Sequence, residues 1–220
     1  MIILVRHGEA THHTEHLTGG WTDSTLTGNG KKQMEIVAKI LAKDFEEHKK
    51  PVIFTSDLQR AAQSAGIICK TFGDVPFIVK SALREKNNGK AAGLTEEEAR
   101  SYYRRPVSDK DLDHANYEGG ETRREFYHRT VNEFNILSRT KENIIIVAHK
   151  GTIQNIVFAW MGMDIAEVSV KNFSVDIRPA SISILGINKW QEHAIFLLNE
   201  TACLQNCDSL GIFNYKFSLR

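Results

Sequence analysis

The chain has 220 residues, of which 41% are hydrophobic and 25% charged, as expected of one sizeable α/β domain or two small ones. Lys and Arg together number 28 and Asp and Glu 27, so the near-zero net charge argues against a general nucleic-acid or membrane-surface binder. No uninterrupted apolar run approaches the roughly 20 residues that a membrane-spanning helix needs.

The cysteine content and the N-terminus predict a cytoplasmic protein. The three cysteines, Cys69, Cys203 and Cys207, are too few and too scattered for a disulfide framework, so a reducing cytoplasm is expected. Cys203 and Cys207 lack a second ligand pair, and we interpret them as inert thiols rather than metal ligands. Residues 2–5 are aliphatic and follow no basic leader, which favours a first strand over a signal peptide.

The first part of the chain alternates predicted strands and helices. Short aliphatic runs predict buried strands, and apolar residues at three- and four-residue spacing predict helices. Polar, glycine-rich residues after the first strand predict a loop through Gly30. The elements expected in chain order are a strand at 2–5, a helix at 33–45, a strand at 52–54, a helix through Ala61, Ala65 and Ile68 with Asp57 as its N-cap, and a strand at 77–79.

The second part continues this alternation. Thr95 and Glu98 form a predicted capping box for a short helix that should end before Pro106. The later expected elements are a loop at 109–120, a helix at 121–137, a strand at 144–147, a helix at 151–160, and strands at 181–187 and 194–198 that could form a hairpin. The last twenty residues show no usable period. The pattern predicts an α/β three-layer sandwich, a mainly parallel central sheet with helices on both faces.

Candidate chemical groups follow three of the predicted strands. Arg6, His7 and Gly8 follow the first, and His149 follows the strand at 144–147 at the start of a helix. Arg60 lies in the first turn of the helix that follows the strand at 52–54. Ligands of open α/β sheets bind beyond the carboxyl ends of strands, and helix N-termini attract anions. Guanidinium groups match phosphate oxygens, and a neutral imidazole can attack phosphorus.

Four ordered motifs resemble the histidine phosphatase superfamily, the phosphoglycerate mutase-like fold. They are Arg6-His7-Gly8-Glu9, the run Ser56-Asp57-Leu58-Gln59-Arg60-Ala61, Leu83-Arg84-Glu85, and His149. Smaller similarities are Gly20-Trp21-Thr22-Asp23 and Gly120-Glu121-Thr122. The matches run in family order over nearly the whole chain. The resemblance implies a histidine phosphatase domain at 1–200, with a cap insertion at about 86–120 and a C-terminal tail at 201–220.

The resemblance also implies a role for each residue. His7 would attack phosphorus and become phosphohistidine, and Glu85 would protonate the leaving oxygen and then activate water. Substrate phosphate would be held by Arg6, His13, Thr18, Gly19, Arg60 and His149. Two arginines and a histidine can balance the charge of phosphoryl transfer, so neither a metal ion nor another cofactor is expected. Glu9 and Glu121 remain rival carboxylates for the role of Glu85.

The sequence departs from the family pattern at two positions. His13 stands where the family often has Asn, and an imidazole can still donate a hydrogen bond to phosphate. Lys150 stands where the family usually has Gly, and it either points outward or adds a cation at the pocket rim. His12, His13 and His16 could suggest a metal site, but no carboxylate or cysteine pattern completes it, so we expect a solvent-exposed loop.

The expected activity is hydrolysis of small phosphomonoesters. Only residues 86–120 lie between Glu85 and the segment at Glu121, which implies a shorter lid than in the mutases of the family and easier access for water. Thr18, Gly19 and Trp21 resemble the mutases, so phosphoglycerate mutase-type transfer is the alternative. A non-catalytic protein that binds a phosphorylated ligand is a third reading. The expected partner is a small phosphorylated metabolite, with no nucleic acid or membrane, and no pattern indicates the oligomeric state.

Overall fold

The computed structural model describes residues 1–108, 111–206 and 208–215. Within them a six-stranded sheet has the order β3-β2-β4-β1-β5-β6. Its strands are β1 (Ile2–Arg6), β2 (Val52–Thr55), β3 (Phe77–Val79), β4 (Ile144–Ala148), β5 (Ile182–Ile187) and β6 (His193–Glu200). The strands β1 to β4 are parallel, whereas β5 runs antiparallel to β1 and β6 antiparallel to β5. The predicted mainly parallel α/β sheet is therefore confirmed.

The register between β1 and β4 sets the position of the site. Ile2 pairs with Ile144 and Arg6 with Ala148, so the two strands end side by side. His7 and His149 come directly after these paired ends. Since parallel strands present their carboxyl ends at the same sheet edge, the two histidines are delivered to one place.

Helices cover both faces of the sheet. Their bounds are α1 (Thr11–Thr14), α2 (Gly28–Asp44), α3 (Gln59–Thr71), α4 (Glu96–Ala99), α5 (Arg123–Leu137), α6 (Lys150–Trp160), α7 (Ile165–Lys171) and α8 (Cys203–Asn206). Alternate residues of each strand point to opposite faces. Ile3 and Val5 pack with the apolar sides of α2 and α3, and Ile2 and Leu4 pack with those of α5 and α6. The result is the predicted three-layer arrangement.

Several helix boundaries differ from the sequence expectations. The helix α2 begins at Gly28 because the Thr27 side chain caps it by accepting from the Gly30 amide. The prediction that Asp57 caps α3 is wrong: Leu58 is the N-cap residue, with no side-chain capping bond. The Asp57 carboxylate instead accepts two hydrogen bonds from Arg84. An ion pair with a cation outweighs a single capping bond here.

The segment at 86–120 is built from short pieces rather than long elements. Besides α4 it contains 3-10 turns at Gly89–Ala91 and Arg100–Tyr102, and Thr95 and Glu98 form the predicted capping box. An isolated bridge joins Leu17 to Thr95, and another joins Tyr103 to Tyr117. Asp109 and Lys110, in the predicted loop at 109–120, lie outside the described residues.

The described part of the C-terminal segment packs on the α2 face of the sheet. Cys203 and Ile212 are buried in the same core as Val5, and Phe213 lies against the rings of Phe45 and His48. The Asp44 carboxylate at the end of α2 accepts bonds from residues 209–211. Cys207 and residues 216–220 lie outside the described residues.

Candidate active site

Two imidazoles converge at the sheet edge. The ring centroids of His7 and His149 are 5.1 Å apart, and both side chains are almost completely buried. The main chain of His7 is fixed on both sides: its amide donates to Ala148 O, and its carbonyl accepts from Ala180 N. Gly8 then turns the chain against Gly30, where a Cβ on Gly8 would lie 2.5 Å from Gly30 O. Backbone contacts therefore hold the His7 ring in place.

One hydrogen bond fixes the tautomer of His7. Its Nδ1 lies 2.7 Å from the carbonyl oxygen of Gly8. A carbonyl can only accept, so Nδ1 carries the proton and Nε2 keeps its lone pair. The lone pair required for attack is therefore on the nitrogen that has no described hydrogen-bond partner.

Arg6 brings a guanidinium to the same place. Its NH1 group donates to Ile177 O at 2.5 Å, and its NH2 group lies 3.0 Å from His13 Nε2. Its Nε is buried and has no hydrogen-bond partner among the described residues. No carboxylate within those residues forms an ion pair with Arg6. Burial lowers the pKa of Arg6, although Glu85 and Asp176 act in the opposite direction.

Arg60 is held by the loop that follows α1. Its side chain is 1% exposed and donates to Thr22 O and Gly20 O, each at 2.7 Å, and to Ser24 Oγ at 3.2 Å. A guanidinium has five N–H donors, so two remain, and the buried Nε has no partner among the described residues. Burial lowers the pKa of Arg60 to about 10. The loop thus fixes the cation and leaves donors for an anion.

The two central imidazoles are neutral. Burial, followed by electrostatic interactions with His149 and Arg60, holds the pKa of His7 well below its ordinary value. Burial, then Arg60 and Arg6, does the same to His149. His149 is the N-cap residue of α6 but makes no side-chain capping bond, and neither ring nitrogen has a hydrogen-bond partner among the described residues. It can therefore donate to one ligand oxygen.

Glu85 is held by main-chain amides alone. Its Oε1 accepts from Lys86 N and its Oε2 from Gly151 N, each at 2.9 Å. Gly151 permits this position of the carboxyl group, because a Cβ would lie 2.4 Å from Glu85 Oε1. Of the rival carboxylates, Glu9 accepts from Thr27 Oγ1, and Glu121 forms an ion pair with Arg129. Glu85 has no cation partner within the described chain, and it acts electrostatically on both Arg6 and Arg60.

The histidine-rich segment is closer to the site than the sequence suggested. His16 is exposed as expected, but His12 is buried, so the prediction of a solvent-exposed loop is wrong for His12. Its ring lies 6.2 Å from that of His7, and Nδ1 is 2.8 Å from Ser24 Oγ. The hydroxyl of Ser24 also contacts Arg60, which explains the burial. The sequence offers no local signal for this burial, because Ser24 and Arg60 lie 12 and 48 residues from His12.

His13 faces two hydrogen-bond donors. Its ring is stacked on that of His7 with centroids 5.7 Å apart, and its Nδ1 accepts from Ala10 N. A neutral ring then carries its proton on Nε2, which faces the Arg6 amino group. An anion oxygen beside both groups would accept from each. His13 can therefore donate to phosphate as the sequence suggested.

Gly19 lies beside the His12 ring. A Cβ on Gly19 would be 3.4 Å from the His12 ring, an ordinary contact. The main chain of Thr18 is bonded to Leu94 and Gly93 of the segment at 86–120. These two residues join the loop after α1 to that segment.

Lys150 points away from the buried imidazoles. Its ammonium group forms an ion pair with Asp176 at 2.6 Å, and both side chains are largely exposed. The outward orientation favoured from the sequence therefore agrees with the structure.

The arrangement is suited to a phosphoryl group. The buried Arg60 and the partly buried Arg6, which have no ion-pair partners within the described residues, lie around one space with two neutral imidazoles and the N-terminus of α6. Burying an unpaired charge is costly, so the described residues form a site that an anion would complete.

Among residues 1–108, 111–206 and 208–215, no cluster of three or more histidine, cysteine or acidic side chains could hold a metal ion. No helix within these residues is both long and apolar enough to cross a membrane.

Comparison with known proteins identifies the family. The family model described as histidine phosphatase superfamily (branch 1) matches residues 2–200. Phosphoglycerate mutase-like protein 4 of Arabidopsis thaliana is 31% identical over 164 residues, which cover 70% of this chain and 68% of that protein. The chain belongs to the histidine phosphatase superfamily, and this membership supports an enzyme.

Other relatives extend the comparison. A 2,3-bisphosphoglycerate-dependent phosphoglycerate mutase of Bartonella bacilliformis is 26% identical over 191 residues, covering 80% of this chain and 88% of the mutase. Several other mutases match over about half of their length. The α-ribazole phosphatase of Shigella flexneri has a TM-score of 0.74 at 22% identity, covering 90% of this chain and 96% of that structure. This structural likeness confirms the fold alone.

Proposed function

We propose that the protein is a phosphatase that hydrolyses small phosphomonoesters through a phosphohistidine at His7, without a metal ion. The observation that carries the proposal is the convergence of His7 Nε2, with its free lone pair, and two guanidinium groups, one buried and one partly buried, that lack ion-pair partners within the described residues. Phosphoryl transfer needs in-line positioning and compensation of charge on the equatorial oxygens. Arg6, Arg60 and His149 supply that compensation.

The reaction proceeds in two displacements. In the first, Nε2 of His7 forms a bond to phosphorus, the ester P–O bond breaks, and the Glu85 carboxyl gives its proton to the leaving oxygen. In the second, Glu85 takes a proton from water, the water oxygen bonds to phosphorus, and the N–P bond breaks. Phosphate leaves, and Glu85 is again protonated. Dividing one difficult step into two easier ones is the advantage of a covalent intermediate.

Main-chain bonds position Glu85 for proton transfer. Two amides fix its carboxyl group, and Trp21 Nε1 donates to its main-chain carbonyl at 2.7 Å. Arg84, its neighbour, is held by Asp57 and lies 4.5 Å from the centroid of the Trp21 ring. Proton transfer by a group held in this way contributes a factor of about 10² to 10⁴.

Substitution of His7 tests the proposal. The purified protein, treated with chelator, is expected to hydrolyse p-nitrophenyl phosphate and to form an acid-labile, base-stable phosphoenzyme. His7→Ala should lose both properties because no other group replaces Nε2. His128→Ala is the matched control, since His128 is exposed on α5. Full activity in His7→Ala would refute the nucleophile, and activity restored only by a divalent metal would refute the metal-free mechanism.

Phosphoryl transfer of the mutase type is the alternative, and the names of the curated relatives favour it. It predicts rapid interconversion of phosphoglycerates beside negligible hydrolysis. Binding without catalysis predicts retention of a phosphorylated ligand with no trapped phosphoenzyme. The same labelled-substrate experiment separates the three outcomes.

A further inference from the structure

A cavity of about 530 Å³ lies next to the imidazole cluster. It is enclosed by the segment around α1 on one side and by the segment around α4 on the other. Its lining includes His12, His13, Glu96, Arg100, Tyr103 and Tyr117. The rings of His12 and His13 are also neighbours of the ring of His7.

The cavity is separated from the proposed nucleophile, His7, by the width of one imidazole ring. The centroids of His12 and His13 lie 6.2 and 5.7 Å from that of His7. The bridge between Leu17 and Thr95 and the bond from Thr18 N to Leu94 O join the two sides of the cavity. The cavity can thus receive the organic part of an ester whose phosphoryl group is held at His7.

The charges of the lining balance. Glu96 and Arg100 line the cavity, and neither charged group has an ion-pair or hydrogen-bond partner among the described residues. Burial is the main cause that lowers the pKa of His12 to about 3 and that of His13 to about 4, so both are neutral. One carboxylate and one guanidinium without counter-ions suit hydroxyl groups, which donate to the first and accept from the second.

Two tyrosines add an amphipathic wall. The rings of Tyr103 and Tyr117 are 5.8 Å apart at 70°, and the bridge between the two residues holds them together. Tyr103 is 48% exposed, so it presents an apolar ring and a hydroxyl to a ligand. The volume is within the range of about 300 to 1,000 Å³ typical of ligand pockets and far exceeds a three-carbon group.

We propose that this cavity binds the cyclic polyol of a sugar phosphate or nucleotide, with the ring against Tyr103 and the hydroxyl groups on Glu96 and Arg100. The proposal rests on the phosphatase activity proposed above and names the substrate class of that site. A site that pairs with ligand hydroxyls discriminates strongly against compounds that lack them. The protein should therefore prefer ring-bearing esters to phosphoserine.

Tyr103→Ala tests the proposal, with Tyr102→Ala as the matched control. Tyr102 is adjacent in sequence but lies near the Lys90 ammonium group and does not line the cavity. The substrates are glucose 6-phosphate, ribonucleoside 5′-monophosphates, glycerol 3-phosphate and phosphoserine. Loss of the aromatic contact should lower kcat/KM for the ring-bearing esters by about tenfold, mainly through KM. Hydrolysis of the two acyclic esters should stay within about twofold, as should all rates in Tyr102→Ala.

Glu96→Gln is a second, independent test if Tyr103→Ala folds poorly. Glu96 is exposed, so this substitution should not disturb folding. It should also lower kcat/KM for the ring-bearing esters alone. A preference of the wild type for either kind of ring supports the proposal and identifies the ring. Equal losses for phosphoserine and glucose 6-phosphate, or no loss with any ester, would overturn it while leaving the phosphatase activity intact. Absence of a phosphoenzyme would instead overturn the proposed function itself.

Discussion

Gly151→Ala should disable proton transfer while leaving the phosphate site in place. Gly151 is the second residue of α6, and its amide donates to Glu85 Oε2 at 2.9 Å. An added Cβ would lie 2.4 Å from Glu85 Oε1 and 2.8 Å from the Phe126 ring. Since Cβ atoms do not approach other heavy atoms so closely, the Glu85 carboxyl group must move. The rest of the first turn of α6 can adopt the same backbone with alanine.

The size of the effect follows from that displacement. Restoring an ordinary contact of about 3.4 Å from the built value of 2.4 Å requires a shift of about 1 Å. A misplacement of about 1 Å costs a rate factor of about 10², within the factor of about 10² to 10⁴ that a general acid supplies. We therefore expect kcat for an alkyl phosphate such as glycerol 3-phosphate to fall by about 100-fold.

A comparison of leaving groups isolates the step. p-Nitrophenolate leaves without a proton, so Gly151→Ala should still form the phosphoenzyme from p-nitrophenyl phosphate. The expected signature is a burst of nitrophenol equal to the enzyme concentration, followed by slow turnover, because Glu85 also activates water. Gly66→Ala is the matched control in α3, where a Cβ would meet nothing within 4 Å. It should keep wild-type rates and gain slight stability.

Two results would refute this reasoning. One is an unchanged kcat for glycerol 3-phosphate in Gly151→Ala, which would mean that Glu85 either does not move or does not act. The other is an equal loss of the nitrophenol burst and of alkyl ester turnover, which would place the damage at His7 or the arginines.

Two further predictions concern stability. Because burial keeps the pKa of His7, His12, His13 and His149 below 6.5 in the folded protein, the unfolded chain takes up more protons in acid. The free energy of unfolding by urea should therefore fall as pH drops from about 6.5 to 4, by at most about 1.4 kcal/mol per pH unit for each histidine; a flat profile would contradict this. Gly30→Ala places a Cβ 1.9 Å from Glu9 O and should cost at least about 2 kcal/mol. Calorimetry should show a Tm lower by about 4 to 8 °C, whereas Gly28→Ala, which meets no neighbour in the same helix, should leave Tm unchanged or raised.

The strands could be predicted from the sequence because each is a short aliphatic run between polar segments. Residues 144–147, for example, are buried throughout the strand that the structure shows. The start of α2 could not be predicted from the sequence, because Gly28 and Gly30 are poor helix formers. Gly30 is helical because its approach to Glu9 excludes any side chain, and that contact is a tertiary one. The short helices α1 and α7 were missed because four to seven residues are too few to show a period.

The site was predictable to the extent that topology determined it. His7 and His149 follow two parallel strands that pair with each other, so the short distance between the two side chains depends only on strand order. His12 was missed because its burial depends on Ser24 and Arg60, which the sequence separates from it by 12 and 48 residues. The displaced role of Asp57 likewise depends on Arg84, 27 residues further along the chain. Partners at such separations are visible only in three dimensions.

The central position of β1 has a consequence for biosynthesis. The strand β1 precedes the other strands of the sheet along the sequence, yet both of its neighbours, β4 and β5, lie in the second half of the sequence. The pairing of β1 with β4 therefore requires residues 144–148, and its pairing with β5 requires residues 182–185. Such long-range pairing slows folding and leaves an apolar segment exposed on the nascent chain. Until those partners are available, β1 is an unpaired apolar segment that a chaperone would be expected to bind.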